Sequence, residues 1–174
     1  MPSGERGFSY LLLLFMLAGL GAGLAAMGQQ WTVAQQREQE AELLFRGQEF
    51  SRALALYRDS TPAGQATAPL TLAELLADTR QSPPRHHLRR LYTDPFTAQA
   101  DWVLMRDTAG RIQALHSRSP RPALRRLPAS GLRDGAPVER QAVGDWIFLP
   151  AGATLPASAS PVPVPPALPP RSPR

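Results

Sequence analysis

Residues 8–27 of the chain are FSYLLLLFMLAGLGAGLAAM, a stretch without a single charged side chain. About 20 helical residues at ~1.5 Å each cover ~30 Å, which is the thickness of a bilayer's hydrocarbon core. A helix is also the form that satisfies its own backbone N–H and C=O groups in lipid. The stretch therefore predicts a transmembrane helix.

The composition narrows the class of protein. The chain has 174 residues and no cysteine, so disulfides and thiolate metal sites are excluded. All 19 of its basic residues are arginine, and the formal net charge is +5. We attribute the arginine-, alanine- and proline-rich composition to the coding bias of a GC-rich genome rather than to an anionic partner.

Two interpretations of the apolar stretch compete. A conventional secretory signal would be cleaved after the small-residue segment 23–25 and lost. A retained helix would continue into the polar segment that follows. The second is favoured because a helical pattern runs on through residues 29–58 without a break, and because Trp31 suits a membrane interface.

The N-terminus carries a resemblance to a known family. A short polar leader, MPSGERG, ends at Gly7 and is followed directly by Phe8 and the apolar helix. This arrangement resembles the type III signal of type IV pilins and type II secretion pseudopilins. The resemblance implies that a prepilin peptidase cuts between Gly7 and Phe8 and methylates the new N-terminus at Phe8.

The resemblance also implies an assembly role for the helix. Assembly would bury one set of apolar side chains against equivalent helices of other subunits: Leu11, Leu12, Leu14, Phe15 and Leu17. The family usually has a glutamate as the fifth mature residue, where this chain has Leu12. A carboxylate inside a bilayer is costly and needs a partner. Its absence points to a minor or atypical subunit.

A pilin-like α+β fold is expected, with a long N-terminal helix, transmembrane in its first half, packed on a small antiparallel β-sheet. Leu43, Gly47, Phe50, Leu54 and Tyr57 recur at spacings of three and four, which places them on one helix face. The segment before them is rich in Gln and Glu, including Glu38, Glu40 and Glu42, and we expect it to stay unburied.

Shorter patterns locate the remaining elements. Thr71 and Glu74 fit a capping box at the start of a short helix that ends before Pro83. Asp94 and Pro95 predict a turn. Residues 102–106 and 111–115 predict a β-hairpin, and residues 146–149 a third strand.

The domain boundaries follow from these patterns. We expect a leader peptide at 1–7, a transmembrane helix at 8–27, its periplasmic continuation at 28–60, a small α+β domain at 61–149 and a disordered proline-rich tail at 150–174.

Candidate chemistry is sparse. His86 and His87 are adjacent and lack acidic neighbours at ligand spacing, so we predict no metal site and no cofactor. His116 and Ser117 with Asp101 or Asp107 could be drawn as a catalytic triad, but no nucleophile turn accompanies them. The calcium loop of the major pseudopilin is not carried over, because residues 117–126 contain no carboxylate.

Two arginine groups, 85–90 and 118–126, suggest a phosphate-binding surface, but aromatic residues for base stacking are few. We therefore expect no nucleic-acid partner. A solvated or partner-facing surface is the favoured interpretation.

The sequence thus predicts a non-enzymatic pseudopilin-like subunit in the bacterial inner membrane, single-pass, with a periplasmic C-terminal domain. Its expected partners are the prepilin peptidase, other pseudopilins or pilins, an inner-membrane secretion platform and the lipid bilayer. The alternatives are a periplasmic binding module released by conventional signal cleavage and a DNA-binding pilin of an uptake system.

Overall fold

The computed structural model describes residues 5–153 and 160–163, with side chains at 8–21 and 31–153. The chain divides into two compact units, Met1–Glu38 and Gln39–Arg174. Residues 1–4 of the expected leader, and the tail at 154–159 and 164–174, lie outside the described residues.

The fold is α+β. The elements are α1 (Glu5–Asp59), α2 (Ala73–Leu76), β1 (Val103–Arg106), β2 (Ile112–His116), β3 (Ile147–Phe148) and β4 (Ser160–Pro163). The strands form one antiparallel sheet in the order β3-β2-β1-β4. Both the long N-terminal helix and the small antiparallel sheet were expected from the sequence.

α1 begins at Glu5, three residues before the predicted start. Over the described residues, no helical segment combines the length and the apolarity required to cross a bilayer.

The predicted face of α1 is buried. Leu43, Phe50, Leu54 and Tyr57 are at most 2 % exposed and belong to the main hydrophobic cluster. The sheet supplies the other half of that cluster from one face, where Leu104 of β1 lies opposite Leu115 of β2. Trp102 and Trp146 complete it. The core therefore lies between one helix face and one sheet face.

The contact between α1 and β3 is unusually close at Gly47. A Cβ atom at this position would lie 2.3 Å from the ring of Phe148, far inside van der Waals contact. Phe148 is buried and its ring also stacks edge-on against Trp102. Gly47 thus allows the helix to approach the sheet closely enough to share one core.

Alternation along the strands sends the remaining side chains to the opposite face of the sheet. Met105 and Ala114 are cross-strand partners there, and they form a smaller cluster with Ile147. All three are buried.

The capping box is confirmed in part. The Glu74 carboxylate accepts a hydrogen bond from the backbone N–H of Thr71 at 3.1 Å. The N-cap position itself, however, is Leu72, which has no capping side chain. The start of the short helix is therefore held by the carboxylate of Glu74, its second residue, and not by a threonine cap. The turn at Asp94 is also confirmed, because its Oδ1 accepts from the backbone N–H of Phe96 at 2.8 Å.

Within the tail that is expected to be disordered, residues 160–163 form the strand β4. Residues 160–163 pair with β1, with Val162 opposite Leu104. Pro161 and Pro163 lack an N–H donor, which confines such a strand to the sheet edge. β4 lies at that edge, outside β1.

Gly47→Ala should lower the free energy of unfolding by ~1–3 kcal/mol, because the new methyl group has to displace a buried aromatic ring. Urea denaturation of the detergent-solubilised chain measures this loss. Gly131→Ala is the matched control, since a Cβ there meets Leu127 at an ordinary 3.6 Å. A Gly47→Ala chain as stable as the control would contradict the close packing.

Candidate functional site

The predicted assembly residues lie in the N-terminal part of α1, where the large side chains are exposed. Ten large side chains between Phe8 and Leu20 are 45–76 % exposed. They include all five residues expected from the sequence: Leu11, Leu12, Leu14, Phe15 and Leu17. Successive helical residues are rotated by about 100°, so this run is apolar on every side.

The glycines of this segment leave additional room beside the helix. A Cβ atom at Gly19 or Gly21 would meet no atom within 4 Å. No contact within the described chain therefore requires glycine at these positions. Small residues of this kind allow a second helix to approach closely.

The predicted processing site belongs to the same helix. Gly7 and Phe8 are both helical, and the Phe8 side chain is largely exposed. The structure places these two residues at the start of the apolar run.

Glu40 departs from the expectation of an unburied polar segment. It is only 2 % exposed, and its two carboxylate oxygens accept hydrogen bonds from the backbone N–H groups of Leu124 and Arg125, at 2.7 and 2.9 Å. A buried carboxylate requires such donors. Glu40 thereby fastens the arginine-rich loop to α1.

The sequence did contain a signal for this role. Glu40 precedes Leu43 by three residues and Gly47 by seven, so it occupies the same helical stripe as the core residues. A charge at a core position predicts a buried, partnered carboxylate. Its partners, 84 and 85 residues away, could not be read from the pattern.

Gln141 organises the loop after β2 in a similar way. Its amide nitrogen donates to the carbonyl of Leu127 at 2.7 Å, and its amide oxygen accepts from the N–H of the same residue at 2.8 Å. The indole N–H of Trp146 also donates to that oxygen, at 3.3 Å. The loop is thus cross-linked by a neutral buried side chain.

A third polar cluster holds the end of α1. Arg80 forms a two-pronged ion pair with Asp78, at 2.7 and 2.8 Å, and donates to the carbonyl of Tyr57 at 3.1 Å. Its hydrogen bonds hold the pKa of Asp78 well below the usual range. Burial and a hydrogen bond to Glu74 raise the pKa of Tyr57 to about 12. Each of these groups is engaged in holding the fold.

The residues considered for a catalytic triad form hydrogen bonds with other groups. The Ser117 hydroxyl donates to Asp94 at 2.5 Å, and Ser117 is buried. Asp101 accepts from Thr97, and Asp107 accepts from backbone N–H groups of the hairpin turn. The arrangement stabilises turns, and the group next to the Ser117 hydroxyl is the Asp94 carboxylate rather than a ring nitrogen of His116.

The adjacent residues His86 and His87 contact different groups. His87 contacts Asp78 at 3.0 Å, whereas His86 contacts the carbonyl of Leu76. Among the described residues, no three His, Asp or Glu side chains are grouped so that they could hold a metal ion.

The two arginine groups remain on the surface. Arg85 and Arg89 are exposed, and Arg90 lies over the ring of Tyr92 at 5.1 Å. In the loop fastened by Glu40, Arg121, Arg125 and Arg126 are exposed.

His116 is a buried group whose titration near neutral pH should affect stability. Its Nδ1 donates to the carbonyl of Ser117 at 2.8 Å, and its Nε2 is buried without a hydrogen-bond partner in the described chain. Burial lowers the pKa of His116, with the charges of Arg133 and Asp145 nearby. The folded state therefore favours the neutral ring.

Comparison with known proteins identifies no relative: no family model, curated protein or solved structure matches this chain.

Glu40→Gln should lower the free energy of unfolding by ~1–3 kcal/mol, because an amide NH₂ cannot accept the hydrogen bond that one carboxylate oxygen accepts. Amide hydrogen exchange should accelerate at residues 124 and 125. Glu42→Gln is the control, since that side chain forms only a partly exposed pair with Arg46. Unchanged exchange in Glu40→Gln would show that Glu40 does not fasten the loop.

Stability should decrease as the pH falls below about 6.5. The unfolded chain binds a proton on His116 with a pKa near 6.5, whereas the pKa of His116 in the folded chain is lower. Acid therefore favours the unfolded chain. Above about pH 6.5 the ring is neutral in both states, and the stability contributed by neutral His116 is fully present. Thermal melts between pH 8 and pH 5 measure this slope. His116→Asn should flatten it, and His86→Asn, at an exposed position, should not. An equal slope in all three chains would rule out His116 as the cause.

Proposed function

We propose that this protein is a structural pseudopilin-like subunit of a type II secretion or related type IV pilus-like machine. Residues 8–27 anchor it in the bacterial inner membrane, and the domain that follows lies in the periplasm. The observation that carries the proposal is the run of large apolar side chains from Phe8 to Leu20 of α1, which remain exposed.

Apolar surface of this extent is stable only when lipid or another protein surface covers it. Soluble monomers rarely leave large contiguous apolar patches in water, and such patches mark contact with lipid or with other proteins. A helix that is apolar all round is typical of a membrane span or of a buried position among other helices. Membrane anchoring would cover these side chains with lipid, and later assembly would cover them with the helices of other subunits.

The leader supports the proposed processing reaction. The short polar segment that ends at Gly7, followed directly by Phe8, resembles the signal cleaved by prepilin peptidase. In this function catalysis is performed on the protein and not by it. The other proposed partners are further pseudopilins or pilins, the inner-membrane secretion platform and the bilayer.

Leu12 restricts the role within an assembly. Without a carboxylate at this position, the helix lacks a charged partner for the N-terminal amine of a neighbouring subunit. Apolar packing alone then has to hold the helix among its neighbours. This favours a minor or atypical subunit over the main building block of a long filament.

Mass spectrometry of the protein from its native membrane should find a mature chain that begins at Phe8 with one added methyl group. Gly7→Leu should leave an unprocessed precursor, because a bulky side chain at the cleavage site would block the peptidase. Gly4→Leu, in the same leader, is the matched control and should be processed normally. A mature chain that begins near Ala26 would instead indicate conventional signal cleavage and a released periplasmic domain.

A further inference from the structure

The folded unit, Gln39–Arg174, has an open groove between α1 and β3, with a volume of about 590 Å³. Leu44 and Ala55 mark its length along the helix, and the opposite wall includes Leu127 and both residues of β3. The interval from Leu44 to Ala55 covers ~16 Å of helix, which is the length of about five residues of extended chain. The groove therefore has the dimensions of a short peptide segment.

The groove meets β3 at the edge of the strand. Side chains alternate between the two faces of a strand. Phe148 belongs to the main cluster beneath α1 and Ile147 to the smaller cluster on the other face, yet both line the groove. β3 is the outermost strand of its sheet, and the pairing on its outer side ends with the bridge between Leu132 and Trp146. Within the described chain no strand continues that pairing, so the outer edge of β3 can accept an added strand.

One end of the groove is strongly basic. Arg125 and Arg126 directly precede Leu127, and both are exposed. Glu40 binds the backbone N–H groups of Arg125 and of the residue before it, which fixes this loop about one helical turn before Leu44. Among the described residues, no carboxylate forms an ion pair with either guanidinium. Two unpaired positive charges are therefore held at the entrance of an apolar groove.

These features determine the chemistry of an occupant. The edge of a strand offers backbone N–H and C=O groups, which another peptide can pair with and an acyl chain cannot. Free guanidiniums bind carboxylates, whereas Arg52, elsewhere on the rim, is already paired with Glu49 at 2.8 Å. The chain's own residues 154–174 lack this chemistry, because they contain no Asp or Glu and are rich in proline, which cannot donate to a strand ladder.

We propose that this groove binds an extended segment of a different protein, which pairs with the outer edge of β3 and places acidic side chains against Arg125 and Arg126. Backbone pairing would supply general affinity for an extended peptide, and the two arginines would select the acidic one. The inference goes beyond the proposed assembly role, because the partner it describes differs from this chain in charge and sequence.

The fold also predicts the direction of the bound segment. Phe148 lies against Gly47, and Arg58 donates to the carbonyl of Ala151 at 3.2 Å, so β3 runs from the arginine-rich end of the groove toward its Ala55 end. All neighbouring strands of the sheet are antiparallel. An added segment that follows the same rule has its C-terminal end, and therefore its acidic residues, at the arginine-rich end.

Binding of synthetic peptides to the full-length chain in lipid nanodiscs tests the inference. The probe carries fluorescein at its N-terminus, alternates valine with threonine over six residues and ends in two glutamates. A matched probe ends in two lysines instead. Fluorescence anisotropy should show that the glutamate probe binds at least about tenfold more tightly, because it meets opposite charges at the rim. Equal binding of the two probes, or binding of neither, would overturn the proposal.

Charge reversal in the loop should exchange this preference. In Arg125→Glu/Arg126→Glu, the lysine probe should become the tighter ligand by at least about tenfold. Arg89→Glu/Arg90→Glu, at exposed positions in the other arginine group, is the matched control and should keep the original preference. Misfolding would abolish binding of both probes and would not exchange them. A glutamate preference that survives the reversal would show that the loop does not bind the acidic end.

Backbone methylation of the glutamate probe tests the pairing with β3. An added edge strand uses the N–H groups of only one of its two edges. Of two probes that are N-methylated on alternate sets of amides, one should therefore bind at least about tenfold more weakly than the other, although both keep the same charges and side chains. Equal affinity of the two methylated probes would indicate an apolar groove for amphiphilic molecules rather than a strand site, and would contradict the proposal.

Discussion

The ring of Phe148 lies directly over the backbone of Gly47. The core of the second unit, Gln39–Arg174, depends on this close approach. A side chain at residue 47 would push α1 away from β3 and open the cluster formed by Phe50, Trp102 and Phe148. Close packing makes such a core intolerant of added volume. With only two short central strands and a two-residue third strand, the sheet has little other apolar surface to hold the helix.

Polar side chains hold much of the rest of the fold together, because most of residues 60–146 lie outside helices and strands. Glu40 ties the arginine-rich loop to α1, Gln141 closes the same loop on itself, and Arg80 clamps the segment after α1 to its end. Each is buried or half-buried and is hydrogen-bonded to backbone groups that are distant in the sequence. Such contacts compensate for a thin core, since an unpaired backbone group in the interior costs about as much as a lost hydrogen bond.

The apolar helix and the folded unit present two different kinds of exposed apolar surface. From Phe8 to Leu20 the side chains are exposed on all sides, which suits lipid or a bundle of helices. Phe45 and Leu56 are single exposed apolar residues on an otherwise polar helix face, as is common on protein surfaces.

Local patterns in the sequence were enough to determine the α+β class, the buried stripe from Leu43 to Tyr57, the hairpin, the position of β3 and the exposed apolar run. Periodicity and turn residues act over a few positions, so these features can be read directly. Only the tertiary structure decided the partners of Glu40, the network around Arg80 and the pairing of β4 with β1. These contacts join residues that are far apart in the sequence, for example Arg80 with Tyr57, 23 positions away, and Glu40 with Arg125, 85 positions away. No local pattern encodes such distances, because they are set by how the loops return to the helix after the core has formed.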